Sequence, residues 1–228
     1  MVTPIITMIH TVFPIVDNLK SIFAKKLGSR SATIYNIVDD SILPRIINAG
    51  GLSPQIVSTV YQHISNAEKM GSDVILVTCS SISKVVDIVS PLISVPVFKI
   101  DDAMTDRAVN VGKKIGVLAT IKTTLNPTIS QLEKKAKKFG REIEIIPCLC
   151  SDAYKALIEE NDPEKHDTIL YDSLKNIIPD VDVIVLAQAS MARLVPKLES
   201  KISKPILSSP ESGVKRTLST IYQIKNSD

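Results

Sequence analysis

The stretch DVILVTCSSI at residues 73–82 returns as DVIVLAQASM at residues 182–191. Cys79 and Gln188 hold the same place in the two stretches, an offset of 109 residues. That offset also lays MIHT (8–11) on VLAT (117–120), TIYNI (33–37) on EIEII (142–146) and VPVF (95–98) on KPIL (204–207). Self-similarity at one fixed spacing marks a chain built from copies of a single folding unit. Whatever fold the first half adopts, the second must adopt as well.

The repeated segments say which fold that is. They belong to short runs rich in Ile and Val: IITMIHT, ATIYNIV, DVILVTC, PVFKI, KIGVLAT, EIEIIP, DVIVLAQ and PILSS. Apolarity that is continuous rather than alternating suits strands covered on both faces, as in a parallel sheet. Amphipathic stretches separate them. SPQIVSTVYQHISNAEKM opens on Ser53 and Pro54, an N-cap and a first-turn residue. NPTISQLEKKAKKF begins near Asn126 and Pro127 and closes at Gly140, a C-cap residue. Strands alternating with helices make the class α/β. The expectation is two similar Rossmann-like (flavodoxin-like) halves, each a four-stranded parallel sheet with flanking helices, related by a pseudo-two-fold axis.

Open parallel sheets bind ligands beyond the carboxyl ends of their strands. The loops of interest are therefore HTVFP, CSSIS, ATIKTT and AQASM, which nominate Thr11, Ser80, Ser81, Thr120, Thr123, Thr124 and Ser190 as substrate-binding residues. With the halves facing each other across the two-fold axis, Cys79 and Gln188 would stand on opposite sides of one cleft. Hydroxyls and amides at a helix start can cradle a carboxylate, although Ser and Thr also cap helices with no ligand involved. Cys79 leads into such a start, which favours a thiolate; a free cysteine can equally pack as a small inert hydrophobe. His10, at the end of the first strand, has a side chain that titrates near neutrality, and packing is its alternative role. Asp39, Asp40 and Ser41 follow the second strand and read as caps. Cys148 and Cys150, two apart on a strand, share a face; His63 and His166 complete no recognisable zinc spacing, and no metal is expected. Gly50 and Gly51 read as a helix stop, and no nucleotide-binding glycine motif occurs.

Composition removes other classes. A net charge of +3, with no Trp, four Phe and five Tyr, gives little basis for nucleic-acid binding, and EKKAKKFGR reads as a solvated helix face. No apolar run approaches the roughly 18–20 residues of a membrane helix. MVTPIITMIHTVFPIV has neither a basic leader nor a small-residue cleavage site, and three cysteines are too few and odd for a secreted framework. A soluble, cytoplasmic protein without membrane or nucleic-acid partners is expected, and a homo-oligomer is compatible with it.

With VTCSS after the third strand, IGVLATIKTT opening the second half and DVIVLAQASMARL near its end, the chain resembles the aspartate/glutamate/hydantoin racemase superfamily over nearly its whole length. The resemblance implies no cofactor: two cysteines flank the substrate α-carbon, one removing a proton and the other delivering one, without pyridoxal phosphate or metal. Cys79 matches the first cysteine. Gln188 stands where the second belongs, and an amide neither gives nor takes a proton near neutral pH. The resemblance also implies that the last helix, ESGVKRTLSTIYQIK, returns to the first half, so that 1–100 with 209–228 forms one half and 101–208 the other. The expected function is a cofactor-independent racemase or isomerase of a small amino acid or related carboxylic acid, with Cys79 as acid/base and His10 as a candidate for the missing acid. The alternatives are a one-base decarboxylase, lyase or double-bond isomerase, and a non-catalytic small-acid binding protein.

Overall fold

The structure, a computed structural model, describes residues 3–225; residues 1–2 and 226–228, the outermost parts of the expected first half, lie outside the described residues. Within them the chain divides into two compact units, one running to Asp102 and resuming at Pro210, the other spanning Ala103–Ser209. Unit 1 contains β1 (Ile5–His10), α1 (Ile15–Leu27), β2 (Thr33–Val38), α2 (Ile42–Ala49), α3 (Pro54–Lys69), β3 (Val74–Val77), a 3-10 turn (Ser80–Ile82), α4 (Ser83–Val89) and β4 (Val97–Lys99). The chain continues through α5 (Asp102–Val111), β5 (Lys114–Ala119), α6 (Lys122–Phe139), β6 (Glu144–Leu149), α7 (Ser151–Ile158), α8 (Pro163–Ile177), β7 (Val183–Leu186), a 3-10 turn (Ala189–Leu194), α9 (Val195–Glu199) and β8 (Ile206–Ser208). It ends in α10 (Ser209–Lys225). All eight apolar runs are strands, and the class is α/β.

Each unit holds a four-stranded parallel sheet, in the orders β2-β1-β3-β4 and β6-β5-β7-β8. The registers test the repeat strand by strand. Ile6 pairs with Val74 and Ile115 with Val183; Ile75 pairs with Val97 and Ile184 with Ile206. Three strand equivalences thus keep the 109-residue offset. The fourth does not: Ile5 faces Thr33 whereas Lys114 faces Glu144, so β6 lies two residues beyond the place that the gapless alignment gave it. The helix before it is the reason, since α6 has 18 residues and α1 has 13. A slip of two preserves which side chains face the core, because strand periodicity is two.

Both faces of each sheet are covered. In unit 1, Ile9, Ile75 and Val77 pack with Ile42 and Ile46 of α2, Ile56, Val60 and Ile64 of α3, and Val85, Val86 and Val89 of α4. On the opposite face Ile6, Met8 and Leu76 are fully buried, as are Leu19 and Phe23 of α1 and Val214 of α10. α10 lies so close that a Cβ built on Gly213 would stand 2.6 Å from the Ile100 carbonyl oxygen. In unit 2, Val117, Val185 and Leu207 pack with Met104 and Ala108 of α5 and Leu132 of α6, while Leu118, Ile184 and Leu186 pack with Leu170 and Leu174 of α8 and Leu198 of α9. The helix after β4 thus belongs to unit 2, and the helix after β8 belongs to unit 1. Among the described residues, no helix is long and apolar enough to cross a membrane.

Candidate functional site

In unit 1 the buried strand β3 stops at Val77, and Thr78 and Cys79 lead into the 3-10 turn. Cys79 occupies the N-cap position, with extended backbone at φ −119°, ψ 119°. Its thiol is free and half-buried. Burial is the largest influence on it and pushes the thiol up from its ordinary range; the Thr11 hydroxyl, the amide and hydroxyl of Ser81 and the amide of Ile82 pull the other way without prevailing. Cys79 therefore rests as a thiol at neutral pH, with thiolate-stabilising donors already gathered around its sulfur. Thr11 Oγ1 is buried and makes no hydrogen bond of regular geometry among the described residues; it approaches the Cys79 sulfur more loosely.

His10 is fully buried. Its Nδ1 lies 2.9 Å from Thr78 Oγ1 and its Nε2 lies 3.0 Å from Asn36 Oδ1. Burial, the largest influence, lowers its pKa and favours the neutral ring; the Thr78 hydroxyl in turn donates to the Ile9 carbonyl at 3.1 Å. Both nitrogens thus have hydrogen-bond neighbours within unit 1.

In unit 2, Gln188 repeats the backbone of Cys79: it is the N-cap residue of a 3-10 turn, at φ −110°, ψ 130°. Its side-chain oxygen accepts two hydrogen bonds from one residue, the Thr120 amide at 2.7 Å and the Thr120 hydroxyl at 2.9 Å. Thr120 stands 109 residues after Thr11, so each unit sets a threonine against the residue at its third strand end. With its oxygen held, Gln188 has the two N–H bonds of its amide left to offer. The turn that carries it is anchored at Arg193, which grips Asp167 of α8 through two nitrogens at 2.7 and 2.6 Å and approaches His166 Nδ1 at 3.1 Å.

The other nominated residues divide. Ser80, Ser81, Thr120 and Thr124 are buried, Thr123 is half-buried, and Ser190 is exposed. The helix expected to begin near Asn126 begins instead at Lys122, with Pro127 inside it. Thr123 and Thr124 thus sit in its first turn rather than in a loop. Pro127, the sixth residue of this helix, removes the amide that would have reached the Thr123 carbonyl. The Thr123 hydroxyl is buried and has no hydrogen-bond partner among the described residues. Asp39 accepts from the amide and hydroxyl of Ser41 and pairs with His63 at 2.9 Å, a turn-capping arrangement. The Cys148 and Cys150 sulfurs approach to 3.8 Å, and their shared hydrogen bond pushes Cys148 up and Cys150 down to about 7. Among the described residues, no group of three or more His, Cys, Asp or Glu side chains is gathered to hold a metal ion. The sequence reading missed Asn36 and Thr78, the partners of His10; no local pattern marks them, since they lie 26 and 68 residues away from it.

Comparison with known proteins gives this arrangement a relationship. The family described as Asp/Glu/Hydantoin racemase matches residues 10–217. A glutamate racemase isoform from Bacillus anthracis superposes with a TM-score of 0.73 at 21% identity, over 97% of this chain and 82% of that one. An Asp/Glu racemase so described from Yersinia pestis gives 0.69 at 20% identity, over 96% and 100%. The glutamate racemase of Francisella tularensis, in complex with D-glutamate, gives 0.72 at 18% identity, over 98% and 82%. No curated protein sequence matches the chain. At these identities the structures share the fold, and the family match spans most of the sequence: the chain belongs to the Asp/Glu/hydantoin racemase family.

Proposed function

We propose that this protein is a cofactor-independent enzyme that moves a proton at the carbon α to a carboxylate of a small amino acid or related acid. Cys79 is the acid/base, and Gln188, in place of a second thiol, holds an acceptor group of the substrate. The observation that carries the proposal is the paired geometry: Thr11 against Cys79 in one unit and Thr120 against Gln188 in the other, each at the N-cap of a 3-10 turn. A carbon acid of this type needs a base or acid fixed close to it and donors for the charge that develops on the carboxylate. Ser80, Ser81, Thr123 and Thr124 are the hydroxyls proposed for carboxylate binding. Gln188 contributes N–H donors only, which suits a carboxylate, carbonyl or amide oxygen and not an ammonium group. A free thiol at Cys79 suits a reducing, cytoplasmic location.

The state of Cys79 favours a second reading within the same chemistry. Burial leaves it protonated, so its ready action is to give a proton. A single acid that protonates the carbanion or enolate left by loss of carbon dioxide suffices for decarboxylation. As the proton leaves, the thiolate is met by Ser81, Ile82 and Thr11, donors that need no reorganisation. Gln188 is consistent with this, since a second proton-transferring side chain is then not needed.

Incubation of amino acids, hydantoins, malonates and unsaturated diacids in deuterated water, followed by NMR, tests both readings. Deuterium incorporation, double-bond movement or carbon dioxide loss in the wild type, abolished by Cys79→Ser, is the expected outcome. Exchange with retained configuration selects one-base chemistry, and loss of configuration requires a second acid. Turnover of any substrate undiminished by Cys79→Ser removes Cys79 from the mechanism.

A further inference from the structure

The duplication contains its own control experiment. His10 ends β1, Asn36 lies in β2 and Thr78 follows β3, and His10 is within hydrogen-bonding distance of both of the others. Their counterparts in unit 2 are fixed by register. Met8 pairs with Asn36 as Val117 pairs with Pro147, so Asn36 corresponds to Pro147. The Thr78 amide donates to Ile9 as the Ala187 amide donates to Leu118, so Thr78 corresponds to Ala187, and His10 corresponds to Ala119. Ala119 and Ala187 are fully buried. The same sheet, folded in the same chain, therefore closes its strand ends with two alanines and a proline. A buried imidazole and hydroxyl and a half-buried amide cost desolvation that the hydrogen bonds of His10 only offset. The fold does not require them.

What distinguishes unit 1 at this place is Cys79. Thr78 immediately precedes it, and His10 immediately precedes Thr11, whose hydroxyl reaches the sulfur. We propose that His10 is a positioning residue for Cys79: through Thr78 and Asn36 it locks the ends of β1, β2 and β3 together and thereby holds Thr11 and the Ser81 and Ile82 donors on the sulfur. Gln188 does no acid–base work, needs no such tuning, and has none beneath it. The inference rests on the assignment of Cys79 as the acid/base, and its test is independent of any substrate.

The experiment follows alkylation of Cys79 by iodoacetamide across pH, with the site quantified by peptide mass spectrometry so that Cys148 and Cys150 do not interfere. In His10→Ala the donors on the sulfur lose their alignment. The midpoint moves upward and the rate at neutral pH falls by at least about threefold, the scale of a modest loss of thiolate. His10→Gln, which can still bridge Thr78 and Asn36, restores much of the rate. Ala119→Ser, the mirror position in unit 2, leaves Cys79 unchanged. If His10→Ala does not fold, Thr78→Val and Asn36→Ala report on the same network. A Cys79 profile identical to wild type in all the folded variants, even with lowered melting temperatures, would make His10 merely structural and overturn the proposal. A shifted profile combined with undiminished turnover by Cys79→Ser would leave the positioning role standing while removing the proposed function.

Discussion

Gly213→Ala probes how α10 is seated on unit 1. The substitution should stabilise an isolated helix, since Ala exceeds Gly there by about 0.5–1 kcal/mol. In this protein the new Cβ would meet the Ile100 carbonyl oxygen at 2.6 Å and Ile100 Cγ1 at 2.9 Å, inside the 3.4 Å at which ordinary contact begins. The obstruction is backbone at the end of β4, so no side-chain rotation relieves it. Overpacking of this kind costs about 1–3 kcal/mol, which leaves a net loss centred on about 1 kcal/mol and no more than about 2.5 kcal/mol after the helix gain. For a chain of this size that central value lowers the melting temperature by roughly 2–4 °C. Calorimetry is the assay of choice, because two units can melt separately and the shift should fall on the transition of unit 1. Gly116→Ala in β5 serves as comparison: its Cβ would meet only side chains, Ile177 Cδ1 at 3.0 Å and Val181 Cγ1 at 3.1 Å, and a smaller loss confined to unit 2 is expected. A Gly213→Ala protein that melts at or above the wild-type temperature would refute the close approach of α10 to β4.

Thr120→Val removes one of the two hydrogen bonds to Gln188 Oε1; the deletion should cost about 1 kcal/mol of stability and release the amide, read as a rise in KM larger than the fall in kcat. Asp167 is opposed by burial, but Arg193 and His166 outweigh it and hold the carboxyl below its ordinary range. Its stabilisation is therefore full above the unfolded carboxylate pKa of about 3.9 and lost as pH falls through the folded value, so urea midpoints of wild type and Asp167→Asn should converge only below about pH 4. His10, lowered chiefly by burial, acts higher on the scale: stability tied to its neutral ring is full above the unfolded value of about 6.5 and declines as pH drops below it, a decline that His10→Gln should remove from the urea profile. Cys150 is held down chiefly by the hydrogen bond from Cys148, so Cys148→Ala should raise the pH at which Cys150 ionises, measured by thiolate absorbance in a Cys79→Ser background.

Much of the fold could be read before any coordinates because the strands are locally encoded. The runs DVILV and DVIVL become β3 and β7 wherever they stand, since continuous Val and Ile suit only a strand covered twice. The offset also located Cys79 and Gln188 at equivalent caps, because backbone conformation follows the repeat even when chemistry does not. What escaped was set over distance. The length of α6 moved β6 by two residues, and Pro127 read as a helix start although the chain enters the helix five residues earlier, at Lys122. The bonding of His10 was hidden for the same reason: Asn36 and Thr78 become its neighbours only when three strands align. Gln188 read in isolation is an inert amide; the grip of Thr120 on its oxygen is what gives it a direction.

The exchange of terminal helices, with α5 following β4 into unit 2 and α10 following β8 back to unit 1, sets an order on synthesis. Unit 2 is one uninterrupted stretch, Ala103–Ser209, and has all its parts once Ser209 has left the ribosome. Unit 1 is begun first and finished last: its β-sheet and first four helices must wait, with the Met8 and Leu76 face short of one cover, until α10 emerges. A nascent chain interrupted before α10 would thus present a finished second unit beside an unfinished first one, the one that carries Cys79.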